Sequence, residues 1–331
     1  MISIALVAFL ISFLTGTMVI YLTAKHDLFI DYSHSEKPQN FHNDCTPRAG
    51  GIGILAGILL SLLSVFGIKF ILSVVLAFAS GIFEDFHNSL SARLRLFLQV
   101  IAAIMAIWLT DAVVTYLGLG ITLPYWLGAI FSTFAIVGMM NAINMIDGFN
   151  GLASGVILII LISFGIVSYQ HNNHELLYVI SIIMGSVLGF FILVFPKGKI
   201  FLGDGGAYML GFIVAILGIF LASKYENVSP WYVLSIFIYP VWEVLFSIGR
   251  KLYIGLSPMK PDSYHMHMLV HRQITNNNPL TALFILFSII PFAIPSTLYA
   301  KNSMINVYIS LTFIIFYSVI YLYLYKKDAK S

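Results

Sequence analysis

Charged residues are scarce in this chain of 331 residues: Asp, Glu, Lys and Arg together make up only 9% of it, against about a quarter in a typical soluble domain. Hydrophobic residues account for 60%. This composition excludes an ordinary soluble domain, and we expect no nucleic-acid partner. The sequence therefore predicts an integral membrane protein, in which apolar runs of about 17–25 residues cross the bilayer as helices.

Cysteine and long polar segments are also nearly absent. Cys45 is the one cysteine, so no internal disulfide can form and the redox compartment stays open. No separate soluble domain fits between the apolar runs, so residues 1–331 are predicted to form a single multi-pass membrane domain. The first run, "ISIALVAFLISFLTGTMVIYLTA", lacks a preceding basic segment and a small-residue cleavage site. We interpret it as a spanning helix and not as a signal peptide.

The apolar windows predict an all-α bundle of about eleven spanning helices. The count becomes ten if the hairpin around Gly67, Ile68 and Lys69 is a single span. The predicted helices lie near residues 2–23, 49–66, 69–83, 95–110, 124–143, 152–169, 177–195, 206–222, 231–248, 282–299 and 305–325.

The distribution of charge predicts how the bundle is oriented. With the N-terminus outside, fourteen of the 17 Lys and Arg residues fall in inward-facing loops, which matches the positive-inside rule and places the C-terminus in the cytoplasm. Eleven of the 14 acids and seven of the nine histidines share that face. We therefore expect the chemistry on the cytoplasmic face of a cell membrane, in loops near 24–48, 84–95, 141–152, 196–206 and 249–281.

The first inner loop carries cationic side chains before a glycine-rich helix start. Lys37, His42 and Arg48 are donors suited to phosphate groups. Gly50 and Gly51 would let backbone N–H groups approach an anion. The alternative is an ordinary basic loop that contacts anionic lipid headgroups.

Two adjacent acids, Glu84 and Asp85, end the third predicted helix. Neighbouring carboxylates repel each other unless they share a cation or a proton, so the pair is a candidate for metal binding or general-base work. A solvated helix end is the alternative. Arg93 and Arg95 follow, and the positive-inside rule alone could account for them.

The stretch "NAINMIDGFNGLASG" repeats a polar residue every three positions. On a continuous helix these residues would form one polar stripe, which hydrocarbon does not tolerate without partners. Gly148 and Gly151 break the helix at this point, so we favour a ligand site over interhelical packing. The stripe consists of Asn141, Asn144, Asp147 and Asn150.

Asp204 lies in "GKIFLGDGGAYMLG", between two apolar runs. An acid on a glycine-rich turn suits Mg²⁺ (or Mn²⁺) and leaves room for a diphosphate beside it. An incidental acid in a turn is the alternative.

The longest inner loop contains "SPMKPDSYHMHMLVHR". Two histidines at positions i and i+2 do not share a helix face, so a zinc pair is not expected. His265, His267 and Arg272 are better suited to hydrogen bonds with a sugar or phosphate. A plain surface loop is the alternative.

Together these stretches make the chain resemble the polyprenyl-phosphate N-acetylhexosamine-1-phosphate transferase family, over nearly its whole length. This family includes undecaprenyl-phosphate N-acetylglucosamine-1-phosphate transferases and phospho-N-acetylmuramoyl-pentapeptide transferases. The matching motifs, in chain order, are Pro47 to Gly51, Glu84 with Asp85, Asn141 to Gly148, Gly203 to Gly206, and Asp262 to His267.

The chain departs from the family motifs at four positions. Glu84 replaces the first Asp of an acidic pair, Asn150 replaces the second Asp of Asp-Gly-x-Asp-Gly, Ala207 replaces a Ser, and Met268 replaces a His. Asp85, Asp147 and Asp204 are all present, so catalysis is expected to be retained. The departures leave the identity of the sugar open.

The resemblance implies a transfer of an N-acetylated amino sugar 1-phosphate from a UDP-sugar to undecaprenyl phosphate, with release of UMP, at the start of cell-surface polysaccharide synthesis. It implies Mg²⁺ (or Mn²⁺) as cofactor, the bacterial cytoplasmic (inner) membrane as location, and a homodimer. Asp204 and Asp85 are the expected metal ligands, and Asp85, Glu84 and Asp204 the catalytic acids. Asn141, Asn144, Asp147, Asn150 and Phe201 are expected to hold uridine, His265, His267 and Arg272 the donor's sugar or diphosphate, and Lys37, His42 and Arg48 a phosphate.

Three alternatives remain, of which a lipid phosphatase that uses no nucleotide is disfavoured by the uridine-like motif. The muramoyl-pentapeptide branch is another, although an expected count of ten helices fits it less well than the predicted eleven. A secondary transporter is the third, because broken helices with polar residues mark such proteins. The acids and histidines gather at one surface here and no internal repeat is visible, which favours the enzyme.

Overall fold

The computed structural model describes residues 1–26, 46–87, 91–257 and 262–328. Within them the protein is almost entirely helical, as predicted. The helices are α1 (Ile2–His26), α2 (Gly50–Ile58), α3 (Val65–His87), α4 (Ala92–Thr110), α5 (Tyr125–Ile146), α6 (Leu152–Gln170), α7 (His174–Val194), α8 (Gly203–Lys224), α9 (Pro230–Ile236), α10 (Ile238–Tyr253), α11 (Met266–Val270), α12 (Asn278–Leu298) and α13 (Ser303–Asp328).

A small antiparallel hairpin is the exception to the all-α prediction. Strands β1 (Tyr116–Gly118) and β2 (Ile121–Thr122) pair between α4 and α5. Gly118 and Gly120 both adopt φ of +83°, a conformation that glycine reaches at little steric cost. The hairpin is too short to have left an alternating pattern in the sequence.

Nine helices in the described part of the chain are long and apolar enough to cross a membrane. The bent pair α9 and α10 makes a tenth candidate. The shorter apolar stretch Gly50–Leu63, α2 followed by the 3₁₀ turn Leu59–Leu63, falls below the length of a full span. Each predicted helix therefore has a helical counterpart, while the described residues contain nine candidate spans, or ten with the bent pair, against the eleven expected.

The break between the second and third helices does not lie where the sequence predicted it. Gly67, Ile68 and Lys69 are part of α3, and the chain turns at Ser64 instead, whose ψ is 151°. The Ser64 hydroxyl accepts a hydrogen bond from the Gly67 N–H at 2.9 Å. Serine in this position caps a helix start, which explains why α3 begins earlier than its apolar run suggested.

The predicted helix at 231–248 is two helices, α9 and α10, that meet at 75°. Pro240 lies in the first turn of α10. It has no N–H to donate to the carbonyl of Ile236, and its ring clashes with a straight continuation of α9. The bend falls at Phe237, between the two helices.

Helix α8 lies at the centre of the bundle, because 89% of its most apolar stretch is buried. It packs against α3 and α5, and also against α2 and α6. Helices α1, α4 and α13 are mostly exposed, with 22%, 28% and 28% of the corresponding stretches buried. This arrangement surrounds the start of α8, where Asp204 lies, with other helices.

Glycines allow the backbones to approach each other at this point. A Cβ on Gly51 would lie 2.6 Å from the Cα of Gly206, and one on Gly81 would lie 2.5 Å from the carbonyl carbon of Asp204. Real Cβ atoms are not found at such distances. Helices α2 and α3 therefore contact the first turn of α8 through glycine.

Candidate active site

Asp204, the second residue of α8, is the centre of a cluster of polar side chains. Its Oδ1 accepts a hydrogen bond from Asn144 Nδ2 at 3.0 Å and lies 3.5 Å from Arg48 Nη2. Its Oδ2 accepts from Arg95 Nη1 at 3.2 Å. A negative charge is favourable in the first turn of a helix. The carboxylate thus joins the end of α5, the start of α4 and the segment before α2.

Asp85 holds the start of α8 in place. Its Oδ1 accepts a hydrogen bond from the Asp204 N–H and its Oδ2 from the Gly205 N–H, both at 2.9 Å. The first N–H groups of a helix have no partner within it, so Asp85 caps α8 from the end of α3. Gly203 adopts φ of +76°, and a Cβ there would lie 2.7 Å from Asp85 Oδ2. We call Asp204 and its partners Arg48, Asp85, Arg95 and Asn144 the Asp204 cluster.

Glu84 lies beside this cluster. Its Oε1 is 3.8 Å from Arg95 Nη1. Its Oε2 is buried and has no hydrogen-bond partner within the described residues. A buried carboxylate oxygen without a partner is costly, so Glu84 is suited to bind a cation or a proton at that atom.

The two glycines that begin α2 do not serve as anion donors, contrary to the prediction. The Gly50 N–H donates to the carbonyl of Phe201 at 2.9 Å, and the Gly51 N–H donates to the carbonyl of Leu202 at 3.0 Å. The Phe201 N–H in turn donates to the carbonyl of Pro47 at 2.9 Å. Two loops are thereby paired, and they bring half-buried Phe201 next to Arg48.

The polar stripe of the third loop is divided by the end of α5. Asn144 joins the Asp204 cluster, and Asn141 donates to Gln99 on α4 at 2.9 Å. Asn150 lies beyond the break, 5% exposed. Its side-chain amide donates to the carbonyl of Pro196 at 2.9 Å, and its backbone N–H donates to Asn278 at 2.8 Å. These bonds hold a loop together, so Asn150 does not share a helix face with Asn141 and Asn144.

Asp147 follows the last residue of α5 and is half-buried. Burial raises its pKa from 3.8 to about 7; Arg48 opposes this shift, while the negative charges of Asp204 and Asp85 add to it. Near neutral pH the carboxyl group is therefore close to half protonated. Such a group can donate as well as accept a hydrogen bond.

The histidine segment, residues 262–272, lies against the turn that carries Asp147. The ring of His267 contacts the ring of Phe149 edge-on, with centroids 5.5 Å apart. Its Nε2 would lie 3.5 Å from a Cβ on Gly148. Burial lowers the pKa of His267 to about 4, although Glu243 acts in the opposite direction. The ring is therefore neutral at pH 7.

Glu243 organises this segment, and no motif in the sequence pointed to it. It is 1% exposed on α10. Its Oε1 lies 3.1 Å from His265 Nδ1 and accepts from the Met266 N–H at 3.1 Å, and its Oε2 accepts from the Tyr317 hydroxyl at 2.8 Å. An acid inside an apolar helix is itself a functional signal, and that signal could have identified Glu243.

The Arg272 side chain is held by hydrogen bonds within the protein. Its guanidinium donates to both carboxylate oxygens of Asp328, at 3.0 and 2.9 Å, and to the carbonyl of Ser263 at 2.8 Å. It also stacks on the ring of Tyr264, 5.5 Å from the centroid. These contacts tie the histidine segment to the end of α13. Lys37 and His42, the remaining predicted phosphate donors, lie outside the described residues.

The charge balance of the site suits a divalent cation. Carboxyl groups outnumber guanidinium groups four to two: Glu84, Asp85, Asp147 and Asp204 against Arg48 and Arg95. No three His, Cys, Asp or Glu residues converge on one point in the described chain. Mg²⁺ is commonly held by one or two carboxylates together with substrate phosphates, so the site fits a metal that arrives with its substrate.

Comparison with known proteins identifies relatives that are named as transferases. Residues 67–222 match the family model described as Glycosyl transferase family 4. A phospho-N-acetylmuramoyl-pentapeptide-transferase of Streptococcus agalactiae is 28% identical over 232 residues, which cover 67% of this chain and 66% of that protein. The match thus spans just under two thirds of that relative.

Two further relatives carry a different name. A probable undecaprenyl-phosphate N-acetylglucosaminyl 1-phosphate transferase of Bacillus subtilis is 27% identical over 285 residues, covering 79% of this chain and 75% of that protein. An undecaprenyl-phosphate alpha-N-acetylglucosaminyl 1-phosphate transferase of Thermotoga maritima is 27% identical over 262 residues, covering 79% of each chain. The relatives therefore include both branches that the sequence suggested.

Proposed function

We propose that the protein is a membrane phosphotransferase that moves a sugar 1-phosphate from a UDP-sugar to a polyprenyl phosphate, and the match of residues 67–222 to the model of glycosyl transferase family 4 supports this. The observation that carries this proposal is the Asp204 cluster, in which acids and arginines from four separate parts of the chain meet at the start of the central helix. The names of the relatives support the reaction type.

The reaction forms one phosphorus–oxygen bond and breaks another. An oxygen of undecaprenyl phosphate attacks the β-phosphorus of the UDP-sugar. The bond from that phosphorus to the bridging oxygen breaks, and the bridging oxygen leaves with UMP. The product is a lipid diphosphate sugar. Because both reactants are anionic, the site must bring negative groups together and stabilise the charge that develops.

We assign the acids to this task as follows. Asp85, held by two backbone N–H groups, positions or deprotonates the lipid phosphate with help from Glu84. Asp204, oriented by Asn144 and Arg95, is the chief residue to hold Mg²⁺ (or Mn²⁺), with Asp85 as the second. When bound, the metal neutralises the phosphate oxygens and favours departure of UMP.

The donor is assigned to the turn after α5 and to the histidine segment. We assign Asn144 and Asp147 to the uridine, Phe201 to stacking on the base, and Asn141 of the same motif to the donor. His267 faces the same turn from the histidine segment. Asn150, His265 and Arg272 are each held by neighbouring groups, so we assign them to shaping the site around the donor.

The location of the reaction follows from the same arrangement. We propose that the N-terminus lies outside the bacterial cytoplasmic membrane and that the Asp204 cluster opens to the cytoplasm, where a UDP-sugar is available. Arg48, with Lys37 and His42, would then receive a phosphate at the membrane surface. A homodimer is part of the proposal and is tested by the mass of the purified protein in detergent.

The donor is proposed to be a UDP-N-acetylhexosamine, and the product the start of a cell-surface polysaccharide. The second candidate donor is UDP-N-acetylmuramoyl-pentapeptide, which the name of the Streptococcus agalactiae relative favours. Both donors require the same transfer and differ in the sugar and in the peptide attached to it.

A donor panel tests the proposal. Purified protein is incubated with undecaprenyl phosphate, Mg²⁺ and radiolabelled UDP-N-acetylglucosamine, UDP-N-acetylgalactosamine or UDP-N-acetylmuramoyl-pentapeptide, and label extracted into organic solvent is counted. We expect one N-acetylhexosamine donor to give lipid-linked label that disappears with EDTA. Label from the pentapeptide donor alone would move the protein to the second candidate. Label from none in folded protein would contradict the proposal.

A further inference from the structure

Glu243 is a buried acid that the proposed reaction does not use, yet it contacts three groups on two other elements. The side chain is 1% exposed and begins from α10, just after the bend. Its two oxygens face the His265 ring, the Met266 N–H and the Tyr317 hydroxyl. A buried carboxylate is tolerated when donors surround it, and removing one partner of such a set is costly.

Two of these contacts fix the start of α11, within the histidine segment. Met266 is the first residue of α11, and its N–H lacks a partner within the helix. Glu243 accepts from it and from His265 with the same oxygen. Because this carboxylate oxygen accepts, the proton of the contact lies on His265 Nδ1. His265 Nε2 lies 3.8 Å from Asp262 Oδ1.

The influence of Glu243 reaches the site through two imidazole rings. The ring of His265 stacks on that of His267, with centroids 5.5 Å apart and planes within 9°. His267 is 1% exposed and contacts Phe149, in the turn that carries Asp147. Within the described residues, the hydrogen bonds of Glu243 go to His265, Met266 and Tyr317. Its hydrogen-bonded connection to the site therefore runs through the histidines.

We propose that Glu243 is a positioning residue, which fixes His265 and the start of α11 and thereby holds His267 against the Asp147 turn. The expected change in kinetics rests on the proposed function. The expected change in the order of residues 265–270 does not depend on any activity.

The test compares Glu243→Gln with a matched control, Glu175→Gln. Glu175 accepts from the Phe66 N–H at 2.7 Å and so also caps a helix from a distance, at the end of the bundle away from the Asp204 cluster. Glutamine keeps the size of the side chain and removes its charge. Both variants are expected to lose some stability because each weakens a cap, but only Glu243→Gln is expected to change the site.

The first measurement is amide hydrogen exchange followed by mass spectrometry, on the substrate-free protein in detergent. Exchange within residues 265–270 should quicken by about tenfold or more in Glu243→Gln, and remain at the wild-type rate in Glu175→Gln. Unchanged exchange in Glu243→Gln, or an equal increase in both variants, would overturn the inference.

The second measurement is steady-state kinetics with UDP-N-acetylglucosamine and undecaprenyl phosphate. Misplacement of a contact by about 1 Å can cost about a hundredfold in rate, so kcat/KM for the nucleotide should fall by roughly 10–100-fold. KM for the lipid should stay within about twofold. Glu243→Asp, which keeps the charge, should lose less than Glu243→Gln. A fall shared equally by Glu175→Gln would contradict positioning.

The two measurements separate failure of the inference from failure of the proposed function. A wild-type protein that is inert with every donor, together with faster exchange in Glu243→Gln, would refute the transferase and support the positioning of His265. An active wild-type protein whose kinetics and exchange are unchanged by Glu243→Gln would support the transferase and refute the positioning role.

Discussion

The Asp204 cluster and the histidine segment flank the same turn, residues 147–151, but they are held together differently. In the Asp204 cluster the candidate catalytic side chains bond directly to each other, as Asp204 does to Asn144 and Arg95. In the histidine segment the candidate side chains depend on a buried acid, Glu243, which contacts His265 and the Met266 N–H. The Asp204 cluster is held by bonds between its own candidate catalytic residues. The histidine segment is held by Glu243, which is not one of the candidate binding residues.

This difference has a consequence for mutations. In the Asp204 cluster one substitution should alter chemistry and local structure together, because the same bonds serve both. In the histidine segment, structure and chemistry should be separable, because support and contact belong to different residues. The predictions below are ordered by the size of their expected effect.

Asp204→Asn should have the largest effect. Asparagine keeps the shape but removes the charge that Arg95 and Arg48 face, and loss of a group with acid, base or electrostatic function costs about 10²–10⁴-fold in rate. We expect kcat to fall by about a thousandfold, measured as lipid-linked label formed per minute. Asp111→Asn is the control, since Asp111 pairs with Lys224 at the opposite end of the bundle. Equal losses in both would contradict the assignment.

Gly51→Ala should destabilise the protein through packing. The added Cβ would lie 2.6 Å from Gly206 Cα, and overpacking of this kind costs about 1–3 kcal/mol. Gly138→Ala is the matched control, because a Cβ at Gly138 has no neighbour within 4 Å; there, alanine should be neutral or stabilise its helix by up to about 1 kcal/mol. Thermal unfolding in detergent measures both. A stable Gly51→Ala protein would show that the contact between α2 and α8 is loose.

Asp147→Asn should stabilise the substrate-free protein, increasingly at higher pH. The carboxyl group of the unfolded chain loses its proton near pH 3.8, whereas the folded protein keeps it to about 7. Between these values the folded state binds more protons, so wild-type stability falls as the pH rises. Asparagine has no proton to lose.

The variant should therefore exceed the wild type by about 1–3 kcal/mol at pH 8 and by less at pH 5. Thermal unfolding of both proteins at the two pH values, without nucleotide or metal, provides the measurement. A constant difference between the two pH values would show that Asp147 titrates normally.

Arg95→Lys should have the smallest effect. Lysine retains the charge but is shorter and lacks the guanidinium, whose Nη1 lies 3.2 Å from Asp204 and 3.8 Å from Glu84. We expect kcat/KM to fall by about tenfold. Arg93→Lys, a nearby exposed position, should remain within about twofold. A loss at Arg93→Lys as large as that at Arg95→Lys would contradict a specific role of the Arg95 guanidinium.

Much of the fold was predictable because long apolar runs are nearly sufficient to specify membrane helices. Helix α6, for example, was predicted at 152–169 and spans Leu152–Gln170. The errors arose where one side chain changes the backbone. Ser64 caps α3 earlier than predicted, and Pro240 bends a helix that was predicted to be straight. An average of hydrophobicity does not detect either effect.

The site residues also fall into those that the sequence predicted and those that it did not. Asn144, Asp85 and Asp204 were identified because each lies in a short local motif, and the fold brings them together across 60 and 119 residues. Asn150 shares the spacing of the stripe, but the break after α5 turns it to Pro196. Glu243 lies 22 residues from the histidine that it contacts, and sequence spacing alone does not reveal such a pair.

The most direct test of the central claim is the identity of the nucleotide that the wild-type protein releases. With undecaprenyl phosphate, Mg²⁺ and an accepted UDP-sugar, the account predicts UMP and a lipid diphosphate sugar in equal amounts, because the bond at the β-phosphorus breaks. Release of UDP with a lipid monophosphate sugar would show that the sugar–oxygen bond breaks instead. That result would contradict the assignment of the Asp204 cluster to phosphoryl transfer.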